Sequence, residues 1–218
     1  MDIIISLDLG TTGNRAIAWN TKGQIVHQCY KEFKQYYPHP GWVEHDAEEI
    51  WESCLENFKQ VIAHIPHQNV LTIGITNQRE TVVMWDTQTG RPLHPAIVWQ
   101  CRRTEPICSD YRSEEATIKK LTGLPLDPYF SATKIKWLLD TVPHHPNTTK
   151  IGTIDSWILW KLTNKKCHLT DTTNASRTLL MDLKSGGWST ELLELFDIPQ
   201  EMLPSIQTSS SHFGYTDE

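Results

Sequence analysis

The sequence predicts an α/β fold in which helices flank a mixed sheet. Near the start of the chain, short apolar runs rich in β-branched residues are separated by turn signals, which indicates consecutive antiparallel strands. Further along, apolar strand-like runs alternate with segments whose apolar residues recur at the spacing of a helix. Strands that alternate with helices after an antiparallel opening are typical of an α/β domain.

The opening of the chain is predicted to form three antiparallel strands. Residues 3–7 are an apolar run, and residues 16–19 form a second one after a turn that contains glycine and threonine. A turn signal at residues 20–23 precedes an alternating stretch over residues 24–33, which we expect to be the third strand. Asp8 is therefore expected where the first strand ends.

The middle of the chain is predicted to contain a long amphipathic helix followed by more strands. Asp46 precedes helically spaced apolar residues and has Glu49 three positions later, which is the spacing of a capping box. This helix is expected to end before Pro66. The apolar run at residues 70–75 is predicted to be a strand inside a sheet. A further strand is expected at residues 81–85, and residues 96–99 form a short apolar run.

The remainder of the chain is predicted to be mostly helical. A charged surface helix is expected over residues 105–121. Ser131 is expected to cap a second helix that ends before Pro143, since serine is a favoured N-cap residue. A loop is expected over residues 144–149, and further helices over residues 154–162 and 189–196.

Composition and charge argue against several classes of protein. The formal net charge is −6 and no more than two Lys or Arg residues stand side by side, so we expect no nucleic-acid partner. No apolar run approaches the roughly 20 residues that a membrane-spanning helix needs, so we expect no membrane insertion. The 5 cysteines are odd in number and form no C-x-x-C pair, which favours a reduced, cytoplasmic setting.

The segment from Asp8 to Thr12 is the first candidate for ligand chemistry. An acidic residue at the end of a predicted strand is followed by Gly10, two threonine hydroxyls and Gly13. Such a turn can direct backbone N–H groups and hydroxyls into one concavity that suits a phosphate. Asp8 can hold Mg²⁺ there, directly or through water. The alternative is an ordinary hairpin whose turn is capped by an aspartate.

A polar stretch at residues 76–80 is the second candidate. It separates two apolar strands and ends in Arg79 and Glu80. In open α/β sheets ligands commonly lie beyond the carboxyl ends of strands, and an arginine beside a glutamate supplies both donors and acceptors for the hydroxyls of a polyol. The alternative is a surface turn with a local ion pair that contributes at most about 1 kcal/mol.

Two aromatic residues are candidates for the wall of a small-ligand pocket. Trp99 ends an apolar run, and Tyr129 precedes the helix expected after Ser131. Each residue combines an apolar body with a polar group, which suits a small polar ligand. The alternative is that both rings belong to the hydrophobic core.

Several segments resemble the FGGY carbohydrate kinase family, and within it the glycerol kinases, over nearly the whole chain. Residues 8–12 specify only the wider actin-like ATPase group, whereas the Asn-Gln-Arg-Glu sequence at residues 77–80 is similar to glycerol kinases rather than to sugar kinases such as xylulokinases. The spacing Y-x-S-x-x-K-I-x-W at residues 129–137 fits the family's signature. The other similar segments are residues 40–46, 74–80, 97–103, 127–131 and 170–177.

The resemblance implies that residues 1–218 are an N-terminal kinase domain with an actin-like, ribonuclease-H-like fold. This domain is expected to be incomplete at its C-terminal end, and to lack the second, ATP-binding domain. The full-length parent is expected to be a homo-oligomer that phosphorylates glycerol to sn-glycerol 3-phosphate with ATP and Mg²⁺. Two alternatives stay open: a related polyol or ketose kinase, and a non-catalytic polyol-binding module if the chain is naturally this short.

The resemblance also implies two sets of binding residues. The expected glycerol site consists of Arg79, Glu80, Trp99 and Tyr129. The expected nucleotide-phosphate site consists of Thr11, Thr12, Gly13 and Arg15, with Asp8 supporting Mg²⁺. The general base of the family is an aspartate that is expected beyond residue 218, so the chain by itself is expected to be inactive.

Three positions depart from the family pattern. Glycerol kinases usually carry glutamine where this chain has Leu9, and two serines where it has Gly13 and Asn14. Gly13 keeps its backbone N–H group but lacks a hydroxyl donor. These departures bear on nucleotide affinity and on the exact substrate.

Overall fold

Strands and helices alternate along the chain, and the predicted α/β class is confirmed. The structure, a computed structural model, describes residues 1–66 and 69–216. The strands are β1 (Ile3–Leu9), β2 (Gly13–Asn20), β3 (Ile25–Glu32), β4 (Glu44–His45), β5 (Val70–Asn77), β6 (Val82–Asp86), β7 (Ala96–Ile97), β8 (Thr149–Thr153), β9 (Leu169–Asp171) and β10 (Ser205–Gln207). The α-helices are α1 (Ala47–Ala63), α2 (Glu105–Asp110), α3 (Glu115–Thr122), α4 (Ser131–Thr141), α5 (Ile154–Leu162), α6 (Thr172–Ala175) and α7 (Thr190–Leu195).

The chain divides into two compact units. The first unit comprises Met1–Gln35 and His45–Gln78, and the second comprises Tyr36–Glu44 and Arg79–Glu218. The first unit holds a sheet with the strand order β3-β2-β1-β5, on which helix α1 packs. β1 and β2 pair antiparallel, as do β2 and β3, whereas β5 runs parallel to β1. The predicted antiparallel opening is therefore confirmed.

Every second residue of β1 contributes its side chain to the core of the first unit. Ile3, Ile5, Leu7 and Leu9 are fully buried, as expected for residues that share one face of a strand. Asp8 is exposed and lies inside β1, because pairing with β2 continues as far as Leu9. The strand predicted to end at Asp8 therefore ends one residue later, at Leu9.

Asn14 joins β2 to α1 inside the first unit. Its buried side-chain amide donates to the carbonyl of Ile50 at 2.8 Å and to the hydroxyl of Ser53 at 2.6 Å. The Asn57 side chain donates in return to the backbone carbonyl of Asn14 at 2.8 Å. Asn14 therefore holds the helix against the sheet, which explains why an asparagine is accommodated where the family usually has serine.

Replacing Asn14 by alanine is expected to lower the free energy of unfolding by about 1–3 kcal/mol. The variant removes both buried hydrogen bonds of the Asn14 side-chain amide, and each such bond is worth roughly 0.5–1.5 kcal/mol. Urea denaturation measures the loss. Lys59→Ala, at an exposed position of the same helix, is the matched control and is expected to change stability by less than about 0.5 kcal/mol. Equal losses in the two variants would contradict the role of Asn14.

Helix α1 begins at the expected residue, but β5 does not lie inside its sheet. The Asp46 carboxylate accepts from the N–H groups of Glu48 at 2.8 Å and Glu49 at 3.3 Å, so the predicted N-cap is confirmed. The Glu49 carboxylate accepts from the Lys34 N–H at 3.3 Å instead of completing a capping box. β5 lies at the end of the strand order within the described residues, and none of its residues is fully buried, so an apolar run was not sufficient to place this strand inside the sheet.

The second unit contains a sheet with the strand order β4-β7-β6-β8, in which β6 pairs antiparallel with both neighbours. A separate parallel pair joins β9 to β10. The first residue of β8 was expected to belong to a loop, and no strand was predicted over the rest of β8. Its sequence, Thr-Lys-Ile-Gly-Thr, has only weak apolar alternation. Its strand conformation depends on the tertiary pairing with β6, which runs from Thr153 opposite Val82 to Thr149 opposite Asp86.

Two helix predictions in the second unit require correction. The single helix expected over residues 105–121 is interrupted between α2 and α3. The 3₁₀ turn Arg112–Glu114 separates the two helices, and each helix buries a residue, Cys108 in α2 and Ile118 in α3. The charge content of a segment indicates a surface position but not where a helix is interrupted. Ser131 is the first residue of α4 and not its cap; the cap position is Phe130, without a side-chain hydrogen bond.

The described residues contain no helix that is long and apolar enough to cross a membrane. The cysteines are free thiols, as the sequence predicts: Cys29, Cys54, Cys101, Cys108 and Cys167. Burial raises the pKa of Cys54 to about 12 and that of Cys108 to about 11, so these two thiols stay protonated near neutral pH. They therefore serve as small apolar residues of the core.

Candidate functional site

The β1–β2 loop (residues 10–12) lies at the end of an antiparallel strand pair. Asp8 and Arg15 are directly opposite each other across β1 and β2 and are both exposed, so one face of the strand pair carries a carboxylate and a guanidinium beside the loop. Thr12 is exposed, and Thr11 is partly exposed. Charged groups of both signs and two threonines therefore meet at this end of the first unit.

The carbonyl groups of the β1–β2 loop and its flanks are bound by donors of the first unit. Gln78 binds two of these carbonyls: its backbone N–H donates to the Leu9 oxygen at 2.7 Å, and its side-chain amide donates to the Gly10 oxygen at 3.1 Å. The Gln35 side-chain amide donates to the Thr11 oxygen at 2.9 Å. Backbone N–H groups bind the other two, from Phe33 to the Thr12 oxygen at 3.3 Å and from Gly10 to the Gly13 oxygen at 3.0 Å. Free carbonyl oxygens repel anions, whereas bound ones present less negative charge. The loop is thus suited to an anionic ligand.

Gly13 occupies a place where a side chain does not fit. A Cβ atom there would lie 2.6 Å from the Lys31 carbonyl oxygen and 2.7 Å from the Tyr30 hydroxyl. Leu9 and Asn14 are buried, so their side chains are part of the interior. The three departures from the family pattern therefore concern packing of the first unit.

Glu80 is the central residue of the second candidate site. Its backbone is left-handed, with φ 66°, and its side chain is 3% exposed. The Arg177 Nε donates to the Glu80 carboxylate at 2.7 Å, and the Ser131 hydroxyl donates to the Glu80 carbonyl at 3.2 Å. A left-handed non-glycine residue costs about 1–3 kcal/mol, so these contacts hold Glu80 in a strained conformation of the kind found at functional sites.

Two aromatic residues stand beside the Glu80–Arg177 pair. The Arg177 guanidinium lies 5.6 Å from the centre of the Tyr129 ring, and the Trp99 and Tyr129 rings meet edge to face at 5.4 Å. The backbone N–H of Trp99 donates to the hydroxyl of Thr81 at 3.2 Å. We call Glu80, Trp99, Tyr129 and Arg177 the Glu80 cluster.

Of the four residues predicted for the glycerol site, the structure thus brings three together. Arg79 is exposed, and among the described residues its side chain makes no hydrogen bond or ion pair with the other three. Burial lowers the pKa of Arg177, but the hydrogen bond and charge of Glu80 raise it more, so the guanidinium pKa lies above its usual value. The Glu80 cluster therefore contains a buried carboxylate with a permanently charged partner.

Lys134 fixes the segment that carries Tyr129. It is fully buried in α4, and its ammonium group donates to the carbonyls of Pro128 at 2.7 Å, Tyr129 at 2.6 Å and Phe130 at 3.0 Å. Burial lowers the pKa of this group to about 7. Three acceptors match the three N–H groups of a lysine ammonium, so Lys134 holds three consecutive residues by one side chain.

Replacing Lys134 by methionine is expected to lower the free energy of unfolding by about 2–4 kcal/mol. Methionine fills a similar volume but leaves three carbonyls without their donor, and the Tyr129 segment loses its anchor. Chemical denaturation measures this loss. Lys120→Met, at an exposed position, is the control, and a loss no greater than in this control would contradict the anchoring role.

Arg177 and Lys134 were not among the predicted site residues. Ser131, Lys134, Ile135 and Leu138 are all buried, so a lysine at the spacing of the buried face of α4 was an available signal. Arg177 had no comparable signal, since it is 97 residues away from its partner Glu80. The described residues contain no group of three or more His, Cys, Asp or Glu side chains arranged to hold a metal ion.

Comparison with known proteins identifies the family. The family profile described as "FGGY family of carbohydrate kinases, N-terminal domain" matches residues 3–218. The chain belongs to the FGGY family of carbohydrate kinases. The resemblance predicted from the phosphate-loop, polar and aromatic segments is thereby confirmed.

The similar curated proteins within the FGGY family are glycerol kinases. A glycerol kinase of Trichodesmium erythraeum is 56% identical over 220 residues, which cover 97% of this chain and 44% of the relative. A glycerol kinase of Nostoc sp. is 53% identical over 219 residues, which cover 98% of this chain and 44% of the relative. The chain thus spans about 44% of the length of these relatives.

Solved structures of FGGY kinases share the fold. Plasmodium falciparum glycerol kinase with ADP has a TM-score of 0.89 and 34% identity, and the match covers 100% of this chain and 45% of that one. Gluconate kinase from Lactobacillus acidophilus has a TM-score of 0.90 at 24% identity, covering 99% of this chain and 44% of that one, and is similar in fold alone. The predicted actin-like, ribonuclease-H-like class is confirmed by these likenesses.

Proposed function

We propose that the full-length protein transfers a phosphoryl group from ATP to glycerol and forms sn-glycerol 3-phosphate. The observation that carries the proposal is the Glu80 cluster, in which a buried carboxylate with a fixed geometry stands beside two aromatic rings. The names of the relatives support glycerol as the substrate. A carboxylate accepts hydrogen bonds from hydroxyl groups, and aromatic rings pack against the carbon atoms of a small polyol.

Within this proposal, Arg79, Glu80, Trp99 and Tyr129 bind glycerol. Glu80 accepts from hydroxyl groups, and the exposed Arg79 supplies donors. Trp99 and Tyr129 supply apolar surface and exclude water. A site built this way rejects a ligand that lacks a hydroxyl, because the buried carboxylate would lose its partner.

Thr11, Thr12, Gly13 and Arg15 are proposed to bind the nucleotide phosphates. Arg15 supplies a positive charge on the exposed face, and the two threonines supply hydroxyl groups. The bound carbonyls of the β1–β2 loop support this assignment, since they reduce repulsion of an anion. Positioning and charge neutralisation account for most of the catalysis of phosphoryl transfer.

Asp8 is proposed to support Mg²⁺. It is an exposed carboxylate beside the β1–β2 loop, and Mg²⁺ in nucleotide sites is held by one or two carboxylates together with phosphates and water. The residues present therefore fit the ion. When bound, Mg²⁺ neutralises charge on the transferred phosphate.

The proposal extends to the rest of the protein. As the family resemblance implies, the general base is proposed to be an aspartate supplied by the rest of the full-length protein. The free cysteines support a cytoplasmic setting. Homo-oligomeric assembly of the full-length protein stays a prediction from the family resemblance.

The test is ADP release by the full-length protein with Mg-ATP and glycerol, with xylulose and gluconate as alternative substrates. Glycerol is expected to be phosphorylated most efficiently, and the 218-residue chain is expected to be inactive. Preference for xylulose or gluconate would contradict the substrate. Activity of the 218-residue chain would contradict the position of the general base.

A single substitution tests the position of the glycerol site. Arg79→Ala in the full-length protein is expected to raise the glycerol KM at least about tenfold and to leave the fold intact, because Arg79 is exposed and each lost charged hydrogen bond is worth about 1.5–3 kcal/mol. Arg112→Ala, also exposed, is the matched control. Unchanged glycerol kinetics in Arg79→Ala would contradict the role of Arg79.

A further inference from the structure

His45 is a fully buried histidine in the first unit that the proposed chemistry does not use. It immediately precedes the N-cap of α1, and its ring meets the Phe33 ring edge to face at 5.0 Å. Both ring nitrogens have side-chain partners. Nε2 is hydrogen-bonded to the Gln35 Oε1, and Nδ1 lies 3.2 Å from the Gln78 Nε2.

These contacts assign one tautomer to His45. The Gln78 amide nitrogen only donates, so Nδ1 accepts and carries no proton. The Gln35 Oε1 only accepts, so Nε2 carries the proton and donates. Burial lowers the pKa of His45 to about 4, which keeps this neutral form at physiological pH.

The two glutamines connect His45 to the β1–β2 loop. The Gln35 amide nitrogen donates to the Thr11 carbonyl at 2.9 Å, and the Gln78 amide nitrogen donates to the Gly10 carbonyl at 3.1 Å. One histidine thus contacts both side chains that bind adjacent carbonyls of the loop. We call His45, Gln35 and Gln78 the glutamine–histidine bridge.

The bridge fixes which end of each amide faces the loop. If either glutamine amide flipped, its oxygen would face a carbonyl oxygen of Gly10 or Thr11, and the two oxygens would repel each other. The flipped amides would also mismatch the ring of His45: the Gln35 nitrogen would face the Nε2 proton, and the Gln78 oxygen would face the Nδ1 lone pair. A protonated His45 is equally incompatible, since it would direct an N–H toward the Gln78 amide nitrogen.

We propose that His45 is a positioning residue that, through Gln35 and Gln78, holds the β1–β2 loop in the form that binds the phosphates of a nucleoside di- or triphosphate. The proposal rests on the proposed function, and it adds residues that make no contact with the nucleotide themselves. It assigns to the bridge an effect mainly on nucleotide affinity, because both glutamines bind carbonyls of the β1–β2 loop and no member of the bridge is among the residues proposed to bind glycerol.

The test measures binding of Mg-ADP to the full-length protein by calorimetry, together with the KM values for ATP and glycerol. His45→Phe keeps an aromatic side chain but removes both hydrogen bonds, and Gln78→Glu replaces a donor by a carboxylate of the same shape. Each variant is expected to weaken Mg-ADP binding at least about tenfold and to raise the ATP KM, with the glycerol KM within about twofold of the wild type. Gln28→Glu, at an exposed position of β3, is the control for the added negative charge and is expected to bind like the wild type.

The outcomes separate this proposal from the proposed function. If the wild type binds Mg-ADP and phosphorylates glycerol but folded Gln78→Glu binds Mg-ADP as tightly as Gln28→Glu, the bridge proposal alone is overturned. A parallel rise of the ATP and glycerol KM values would also overturn it, because that is the result of a general loss of structure. A wild-type protein that binds no nucleotide would overturn both proposals. If His45→Phe fails to fold, Gln78→Glu decides.

Discussion

Replacing Arg177 by methionine is expected to lower the free energy of unfolding by about 3–5 kcal/mol and to reduce kcat/KM for glycerol at least about 100-fold. The variant leaves the Glu80 carboxylate, which is 3% exposed, without its cation. An unpaired buried charge is among the most costly defects in a folded protein. Glu80 also has a left-handed backbone, with φ 66°, so the loss falls on a residue that is already strained.

The Arg177 prediction can be separated from a simple loss of packing. The double variant Glu80→Gln with Arg177→Met removes both charges and is expected to recover part of the stability but none of the glycerol kinetics. Arg112→Met breaks an ion pair with Glu115 in which the arginine is 61% exposed, and is expected to cost less than about 1 kcal/mol. An Arg177→Met variant as stable as Arg112→Met would contradict the importance of the buried pair.

Local patterns in the sequence were sufficient for much of the fold. The strand β1 and the capping aspartate of α1 depend on a few neighbouring residues, and both were predicted. β8 was missed, because its conformation depends on pairing with a strand more than 60 residues earlier. The interrupted helix between α2 and α3 was missed for a similar reason, since burial of Cys108 and Ile118 is decided by the surrounding unit.

In the candidate site, too, the residue types were predicted from local sequence, whereas the contacts between distant segments were not. Glu80, Trp99 and Tyr129 were named from a polar strand end and two aromatic residues, and they do lie together. What holds them was not predictable, because the Glu80–Arg177 pair joins distant segments of the chain. The same is true of the glutamine–histidine bridge, whose members come from three separate segments. Reactive residue types are visible in a sequence, whereas the contacts that orient them depend on the tertiary fold.

Acid is expected to destabilise the protein through His45. Burial lowers the pKa of His45 to about 4 in the folded state, whereas an unfolded histidine has a pKa near 6.5. Between these values the unfolded state binds a proton that the folded state does not, so stability falls as the pH falls from about 6.5 to about 4. Each pH unit costs about 1.4 kcal/mol, which gives about 3 kcal/mol in total. Above pH 6.5 both states are neutral at this residue and the contribution is constant.

The His45 part of the acid effect is obtained from the difference between two proteins. His168, whose pKa burial lowers to about 3, contributes with the same sign, so the wild-type slope alone does not isolate His45. Urea denaturation between pH 4 and pH 7 is therefore compared in the wild type and in His45→Gln, which is expected to lose about 3 kcal/mol less over this range. His212→Gln, at an exposed position, is expected to keep the wild-type slope. Equal slopes in all three proteins would mean that His45 accepts a proton in the folded state as readily as in the unfolded state, which is incompatible with a ring that accepts from one glutamine and donates to the other.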